Sequence, residues 1–128
     1  MEERLLKHGM FSWNELMTTD SVGARKFYEQ LLGWKFTEFP MEGMSYWVIK
    51  ADGEEVGGIM NVPPEPGGIP PHWGVYVTVD NVDASAKKAK ELGGRIMVQP
   101  TDIPEVGRFC VFHDPQGAVI SLITYLKK

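Results

Sequence analysis

The chain has 128 residues, of which 43% are hydrophobic and 23% charged, as expected for one folded globular domain. Its net charge of −4 and scattered basic residues give no basic surface for nucleic acid, and no apolar run reaches the roughly 20 residues of a membrane span. The single cysteine, Cys110, cannot form an internal disulfide, which together with the lack of a signal sequence favours a cytoplasmic protein.

The first half of the chain predicts one strand, one helix and three further strands. FSWNELMT at 11–18 is rich in strand-forming residues, and Asp20 follows as a helix N-cap. Ala24, Phe27, Tyr28 and Leu31 have helical spacing, which predicts an apolar stripe that packs on a sheet. The helix is expected to end near Gly33. The stretches WKFTEF, MSYWVIKA and EVGGIMNV then predict three strands, with a hairpin turn at Asp52 and Gly53.

A proline-rich segment separates this half from the next. VPPEPGGIPP at 62–71 contains five prolines and two glycines, which exclude both a helix and a central strand. We therefore predict a first module at 9–62, a linker at 63–71 and a second module at 72–126.

The second half repeats the same order of elements. HWGVYVTV predicts a strand, Asp80 an N-cap, and Val82, Ala86 and Ala89 the apolar side of a helix that ends near Gly93. RIMVQP, RFCVF and AVISLITY predict three more strands, with a turn at 114–117.

A shift of sixty residues superposes the two halves at several positions. Trp13 falls on Trp73, Asp20 on Asp80 and Gly33 on Gly93. A half of about sixty residues buries too little surface to be stable alone, so both halves should form a single domain over 1–128. The predicted fold class is α+β, with two tandem βαβββ modules forming a curled mixed sheet around a cavity.

Three segments resemble the vicinal oxygen chelate superfamily, which includes glyoxalase I, bleomycin resistance proteins and extradiol dioxygenases. They are FYEQLLGW at 27–34, the segment from VTVDNVDA to KELGG at 77–94, and FHDPQGAVISL at 112–122. The resemblance implies that each module contributes a curved sheet to an open cup that holds a ligand, and that the protein is a homodimer. Metal-dependent members carry a His, Gln or Glu ligand on the first and last strand of each module.

Carried over to this chain, those metal-ligand positions fall on Trp13, Asn61, Gly74 and Ser121. None of these residues is a His, Gln or Glu, so the resemblance predicts a cavity without a metal or other cofactor. Glu15 and His72 lie two positions along the same strand faces. Because two strand residues displace a side chain by about 6.6 Å, they could replace the missing ligands only if the metal moved to a new centre.

Strand alternation predicts which side chains face the cavity. The expected ligand-binding residues are Trp13, Glu15, Met17, Asn61, His72, Tyr76 and Ser121. Trp73 has the opposite parity and is expected on the helix side. Glu15 is also the candidate catalytic residue, as a general base or a group that orients a ligand. The alternative is a structural pairing of Glu15 with Tyr76 or Arg108.

Three functions remain open at this point. The first is a binding protein for a small, partly aromatic molecule, without a metal. The second is an isomerase, lyase or dioxygenase of the same superfamily, either metal-dependent with non-standard ligands or using Glu15 as a base. The third is an interaction module whose cavity is filled by its own side chains.

Overall fold

The computed structural model describes residues 2–41, 43–62 and 70–126. Each predicted module is present as one strand, one helix and three strands, in the predicted order. A short 3₁₀ helix at Glu3–Leu6 precedes them. The elements are β1 Phe11–Thr18, α1 Ser21–Leu32, β2 Lys35–Met41, β3 Met44–Ala51, β4 Glu54–Asn61, β5 His72–Thr78, α2 Val82–Glu91, β6 Arg95–Ile103, β7 Gly107–His113 and β8 Val119–Tyr125.

The contacts within the chain divide it into two compact units. One comprises residues 13–74, and the other combines residues 1–12 with 75–128. We call them the first and second unit. The first twelve residues therefore group with the second unit, although the sequence assigned residues 9–12 to the first module. A single domain over 1–128 stays a prediction.

The sheet of the first unit has the strand order β2-β3-β4-β1. β1 and β4 are parallel, and the pairs β2–β3 and β3–β4 are antiparallel. The hairpin between β3 and β4 turns at Asp52 and Gly53, whose φ angles of 50° and 81° are both positive, as two-residue hairpin loops commonly require. The predicted turn is confirmed.

Helix α1 begins and ends as the sequence predicts. The Asp20 carboxylate accepts a hydrogen bond from the Gly23 N–H at 2.9 Å, and Gly33 follows the helix with a φ of 74°. Its predicted stripe is correct only in part. Ala24 and Tyr28 pack against the core, whereas Phe27 and Leu31 remain 58% and 62% exposed.

The core of the first unit explains which side chains of α1 are packed and which are exposed. Leu16, Ile49 and Ile59 form its buried centre, with Trp34 and Trp47 packed around them. Ala24 and Tyr28, at i and i+4 of the predicted stripe, face this centre, whereas Phe27 and Leu31 lie further round the helix.

The sheet of the second unit has the matching order β5-β8-β7-β6, with β5 and β8 parallel. Val79, Val82, Ala86 and Cys110 form its buried core. The N-terminal segment pairs along β5, because the Gly9 N–H donates to the Thr78 carbonyl at 2.7 Å and the Thr78 N–H donates to the Met10 carbonyl at 2.8 Å.

Helix α2 is capped by Asn81 and not by Asp80. The Asn81 side-chain oxygen accepts from the Ala84 N–H at 3.1 Å, whereas the Asp80 backbone N–H donates to His8. The prediction of Asp80 as the cap is wrong because the sixty-residue offset is one residue too short here: α1 begins at Ser21 and α2 at Val82. The predicted turn at 114–117 is confirmed by the Gly117 N–H donating to the Asp114 carbonyl.

Most of the predicted linker, residues 63–69, lies outside the described residues. Among the residues that are described, no helix has both the length and the apolar character needed to cross a membrane. The longer helix, α1, has twelve residues.

Candidate functional site

The two faces of the first unit's sheet differ in character. Leu16 and its strand partner Ile59 lie on the face that packs against α1. Because neighbouring residues along a strand point to opposite faces, Glu15 and its partner Gly58 lie on the other face. We call this the open face. The register places the following residues on it: Trp13, Glu15 and Met17 of β1, Gly58 and Met60 of β4, Tyr46 and Val48 of β3, and Phe39 of β2.

A chain of hydrogen bonds connects three side chains on the open face. The Trp13 indole Nε1–H donates to the Tyr46 hydroxyl oxygen at 2.9 Å. The Tyr46 hydroxyl in turn donates to Glu15 Oε2 at 2.8 Å. An indole N–H can only donate, so it uses an acceptor position of the tyrosine oxygen, and the tyrosine hydrogen is directed at the carboxylate.

This direction of donation makes Glu15 Oε2 an acceptor. A hydrogen bond donated to a carboxylate stabilises its ionised form. Glu15 is 6% exposed and Tyr46 8%, so the bond is shielded from water and is stronger than it would be at the surface. The site therefore has a buried carboxylate whose orientation is set by Tyr46 and, through it, by Trp13.

Gly58 makes the contact between Tyr46 and Glu15 possible. Tyr46 lies on β3 and Glu15 on β1, with β4 between them. The tyrosine ring crosses β4 directly over Gly58, and a Cβ at that position would overlap both its hydroxyl and its ring carbons. Glycine is thus required here by the close approach of the ring, and no positive φ is involved.

Sequence analysis predicted Trp13 and Glu15 but missed Tyr46 and Gly58. Both lie in correctly predicted strands, the second in the glycine pair of EVGGIMNV. A glycine pair inside a strand is a signal that something approaches the backbone closely. The partner that approaches could be identified only from the register between β3 and β4.

The predicted orientation of Asn61 is wrong. Asn61 pairs with Thr18 on the helix side of the sheet, and its side-chain oxygen accepts from the Ser21 N–H at 2.9 Å, at the start of α1. The prediction was out of register by one residue, which places a side chain on the opposite face. On the open face, the neighbouring position is occupied by Met60.

His72 and Trp73 begin β5 and lie in the first unit. The His72 ring forms a hydrogen bond through Nδ1 with the Pro70 carbonyl at 2.9 Å. Trp73 lies against the α1 side, as its parity predicts, but it packs on the helix of the first module and not on α2. Its indole donates to the Tyr28 hydroxyl at 3.2 Å, and its ring lies edge-on to Trp34 with 6.0 Å between centroids.

In the second unit, the two predicted residues Tyr76 and Ser121 are register partners on β5 and β8. They therefore share the face opposite α2. Tyr125, further along β8, forms a hydrogen bond of 2.8 Å with the Ser12 hydroxyl. Burial raises the pKa of the Tyr125 hydroxyl, and the bond with Ser12 offsets part of this rise.

Arg108, an alternative partner considered for Glu15, has acidic partners in its own unit. Its guanidinium donates to Asp83 at 2.9 and 3.1 Å and to Asp102 at 3.0 Å. The hydrogen bond from Arg108 lowers the pKa of Asp83.

The residues present do not fit the metal site that the superfamily implies. At the middle of β1 and β4, the open face carries the carboxylate of Glu15 beside the thioethers of Met17 and Met60. Tyr76 and Ser121 supply only hydroxyls in the second unit. Among residues 2–41, 43–62 and 70–126, no three His, Cys, Asp or Glu side chains could hold a metal ion together.

A groove of about 290 Å³ lies elsewhere, at the C-terminal end of α2 in the second unit. Ala89, Leu92, Phe112 and Leu122 give it an apolar lining, with Lys88 beside them. No predicted site residue contributes to it.

The fold, the repeated module and the sequence define the family of this protein. The model of the Glyoxalase/Bleomycin resistance protein/Dioxygenase superfamily matches residues 9–122. The chain belongs to this superfamily, which confirms the resemblance found in the sequence.

Two curated relatives are similar over most of the chain. CFP32 of Mycobacterium tuberculosis, which carries a provisional glyoxylase name, is 48% identical over 118 residues, or 90% of this chain and 44% of that protein. The anthracycline biosynthesis protein DnrV of Streptomyces peucetius is 31% identical over 127 residues, or 89% of this chain and 46% of that protein. The chain thus spans about half the length of these relatives.

Solved structures confirm the fold class. Methylmalonyl-CoA epimerase from Mycobacterium tuberculosis superposes with a TM-score of 0.69 at 17% identity, covering 99% of this chain and 94% of that one. The Streptomyces coelicolor epimerase in complex with 2-nitronate-propionyl-CoA also gives 0.69 at 17% identity, covering 94% and 100%. At this identity the similarity establishes the fold and not the activity.

Proposed function

We propose that this protein binds a small, partly aromatic organic molecule on the open face of the first unit, without a metal ion. The observation that carries the proposal is the hydrogen-bonded chain from Trp13 through Tyr46 to Glu15. A buried polar group with a fixed direction, surrounded by apolar and aromatic side chains, is the usual composition of a small-molecule site.

The apolar part of the open face suits such a ligand. Phe39 contributes a partly exposed ring, and the buried ring of Tyr46 lies next to it, with the centroids 6.3 Å apart and the planes at 75°. Met17 and Met60 are register partners next to them. Methionine side chains are flexible and polarizable, so they can adapt to the outline of a ring.

The comparisons are consistent with a small organic ligand. One relative is named for anthracycline biosynthesis, and a solved neighbour holds 2-nitronate-propionyl-CoA. Tyr76 and Ser121 of the second unit, and His72, are further candidate contacts predicted from the sequence.

A matched pair of tryptophan variants tests the proposed face. Trp13 and Trp73 each donate an indole hydrogen bond to a tyrosine, but Trp13 lies on the open face and Trp73 on the α1 side. We would screen neutral, cationic and anionic aromatic compounds for a rise in melting temperature, because a ligand that binds only the folded protein stabilises it. Trp13→Phe should reduce the rise caused by a hit, and Trp73→Phe should leave it unchanged.

Two results would contradict this proposal. One is that no compound raises the melting temperature, and the other is that both tryptophan variants affect the rise equally. Elemental analysis tests the metal-free part: a stoichiometric divalent metal that survives purification, and whose removal abolishes binding, would show that the proposal is wrong.

The second candidate is an enzyme in which Glu15 acts as a general base for an isomerase or lyase reaction. The oriented carboxylate favours it, since a general base must be held within hydrogen-bonding reach of the hydrogen that it removes. Exchange of a ligand C–H hydrogen for deuterium in D₂O, followed by NMR, tests this activity. Glu15→Gln should abolish the exchange. A metal-dependent isomerase, lyase or dioxygenase would instead need added divalent metal. The carboxylate, thioethers and hydroxyls described above do not favour a metal site.

We also propose that the protein is a homodimer. The supporting observation is the outer side of α1, where Val22, Phe27, Leu31 and Leu32 are all more than half exposed. Apolar patches of this kind are typical of protein contacts. Light scattering after size exclusion should give twice the monomer mass, and Leu31→Lys should give the monomer. A monomeric wild-type protein would refute the proposal.

A further inference from the structure

We infer that the open face selects organic cations, meaning small molecules that carry an ammonium group next to an aromatic or other apolar part. This inference rests on the proposed function and specifies the ligand class of the same site. It is carried by the juxtaposition of one oriented carboxylate with three aromatic side chains and two methionines.

Glu15 supplies the charge that distinguishes between ligand classes. Tyr46 donates to Oε2 at 2.8 Å, and the donation is fixed in direction because Trp13 already donates to the same tyrosine oxygen. A hydrogen bond donated to a carboxylate favours its ionised, negatively charged form. Such a charge in a shielded position attracts a cation and repels an anion more strongly than an exposed one does.

Aromatic side chains share the open face with this carboxylate. Trp13, Phe39 and Tyr46 lie on the same face as Glu15. The faces of aromatic rings attract quaternary and protonated ammonium groups, and tryptophan does so most strongly. Carboxylate and rings therefore favour the same kind of ligand.

The basic residues of β2 and β3 lie away from Glu15. Lys35 and Lys50 are paired at one end of β2 and β3. Lys50 is two residues along β3 from Val48, which lies across Gly58 from Glu15 in the register. Two residues along a strand and two strand spacings together correspond to about 12 Å. At this distance, beyond the screening length of about 8 Å in physiological salt, Lys50 opposes a cation beside Glu15 only weakly.

Two probes of nearly equal shape test the ligand class. Phenyltrimethylammonium is a cation, and tert-butylbenzene is its neutral counterpart. NMR titration of the wild-type protein should give a dissociation constant about tenfold lower for the cation than for the neutral probe, from charge attraction and cation–π contacts. Raising the salt concentration should lower the affinity for the cation relative to that for the neutral probe.

Two charge-matched variants locate the origin of the preference. Glu15→Gln removes one negative charge from the open face and keeps the shape of the side chain. Glu29→Gln removes one from the exposed surface of α1. The preference for the cation should disappear in the first variant and persist in the second. If Glu15→Gln does not fold, Tyr46→Phe replaces it, and the preference for the cation should fall because the carboxylate loses a donor that favours its ionised form.

The outcomes separate this inference from the function on which it rests. Binding of both probes with equal affinity, or a preference that survives Glu15→Gln, refutes the cation class and leaves a small-molecule site on this face. Binding of neither probe, together with no hit in the wider compound screen, refutes both.

Discussion

Substitution of Gly58 by alanine tests the arrangement of the open face most directly. The Tyr46 ring passes over Gly58 to reach Glu15, and a Cβ there would overlap the ring and its hydroxyl. The ring would have to move away, and the hydrogen bond from Tyr46 to Glu15 would break. The buried carboxylate would then lose a donor that it has in the wild-type protein.

The loss of stability in Gly58→Ala can be estimated from three contributions. A hydrogen bond to a charged group contributes about 1.5–3 kcal/mol. Forcing an extra methyl group into a packed site costs about 1–3 kcal/mol. Replacing glycine by alanine stabilises the folded protein by about 0.4–1 kcal/mol, because it lowers the conformational entropy of the unfolded chain. We therefore expect Gly58→Ala to lower the free energy of unfolding by about 2–5 kcal/mol, a large part of the about 5–15 kcal/mol that stabilises a typical domain.

Urea denaturation followed by circular dichroism measures this loss, and Gly74→Ala is the matched control. Gly74 also lies in a strand, but a Cβ there would have the Glu15 carbonyl oxygen at 3.9 Å as its nearest neighbour, an ordinary contact. This control should raise the free energy of unfolding by about 0.4–1 kcal/mol, the contribution of the unfolded state alone.

Equal stability of the two glycine variants would refute the close packing of Tyr46 on Gly58. A double-mutant cycle adds a second check. In a Tyr46→Ala background the ring is absent, so Gly58→Ala should cost much less than it does in the wild-type protein.

Three further predictions concern the corrected positions and the buried cysteine. Asn61→Ala should lower the free energy of unfolding by about 0.5–2 kcal/mol, because the start of α1 loses an acceptor. The same variant should leave the affinity for a bound probe unchanged. A loss of affinity without a loss of stability would contradict the orientation of Asn61 toward α1. Asn81→Ala should lower the melting temperature more than Asp80→Ala, and the reverse order would return the α2 cap to Asp80. Burial raises the pKa of the Cys110 thiol above its ordinary 9.0, so the stability that the neutral thiol contributes is present below about pH 9 and declines as the pH rises above it. Cys110→Ala should make this decline with pH shallower. Urea denaturation at several pH values measures it, and the same pH dependence in the variant and the wild-type protein would contradict the prediction.

The local elements follow from the sequence because their signals are local. The strand predicted at 11–18 and the strand MSYWVIKA match β1 and β3 residue for residue. The Asp20 cap and the turn at Asp52 and Gly53 also depend only on neighbouring residues. The order of elements, together with segments such as FYEQLLGW and FHDPQGAVISL, indicated the superfamily.

The errors in the prediction are displacements of one residue or a rotation of one helix. The sequence pattern predicts Asp80 as the cap that Asn81 provides, and it predicts Asn61 on the face where Met60 lies. It also predicts Phe27 on the packed side of α1, whereas Phe27 is exposed. A shift of one residue leaves a sequence pattern nearly unchanged, but it moves a side chain to the other face of a sheet and changes its hydrogen-bond partner.

The sequence by itself determined the order of strands and helices, the two modules and the presence of Trp13 and Glu15 on one strand face. Only the tertiary structure decided that Tyr46 joins them. Tyr46 is 31 residues from Glu15 in the sequence, and the two meet because β3, β4 and β1 are neighbours in the sheet and Gly58 leaves room between them. That contact depends on strand register and on the absence of a side chain at a third position, which local residue patterns do not specify.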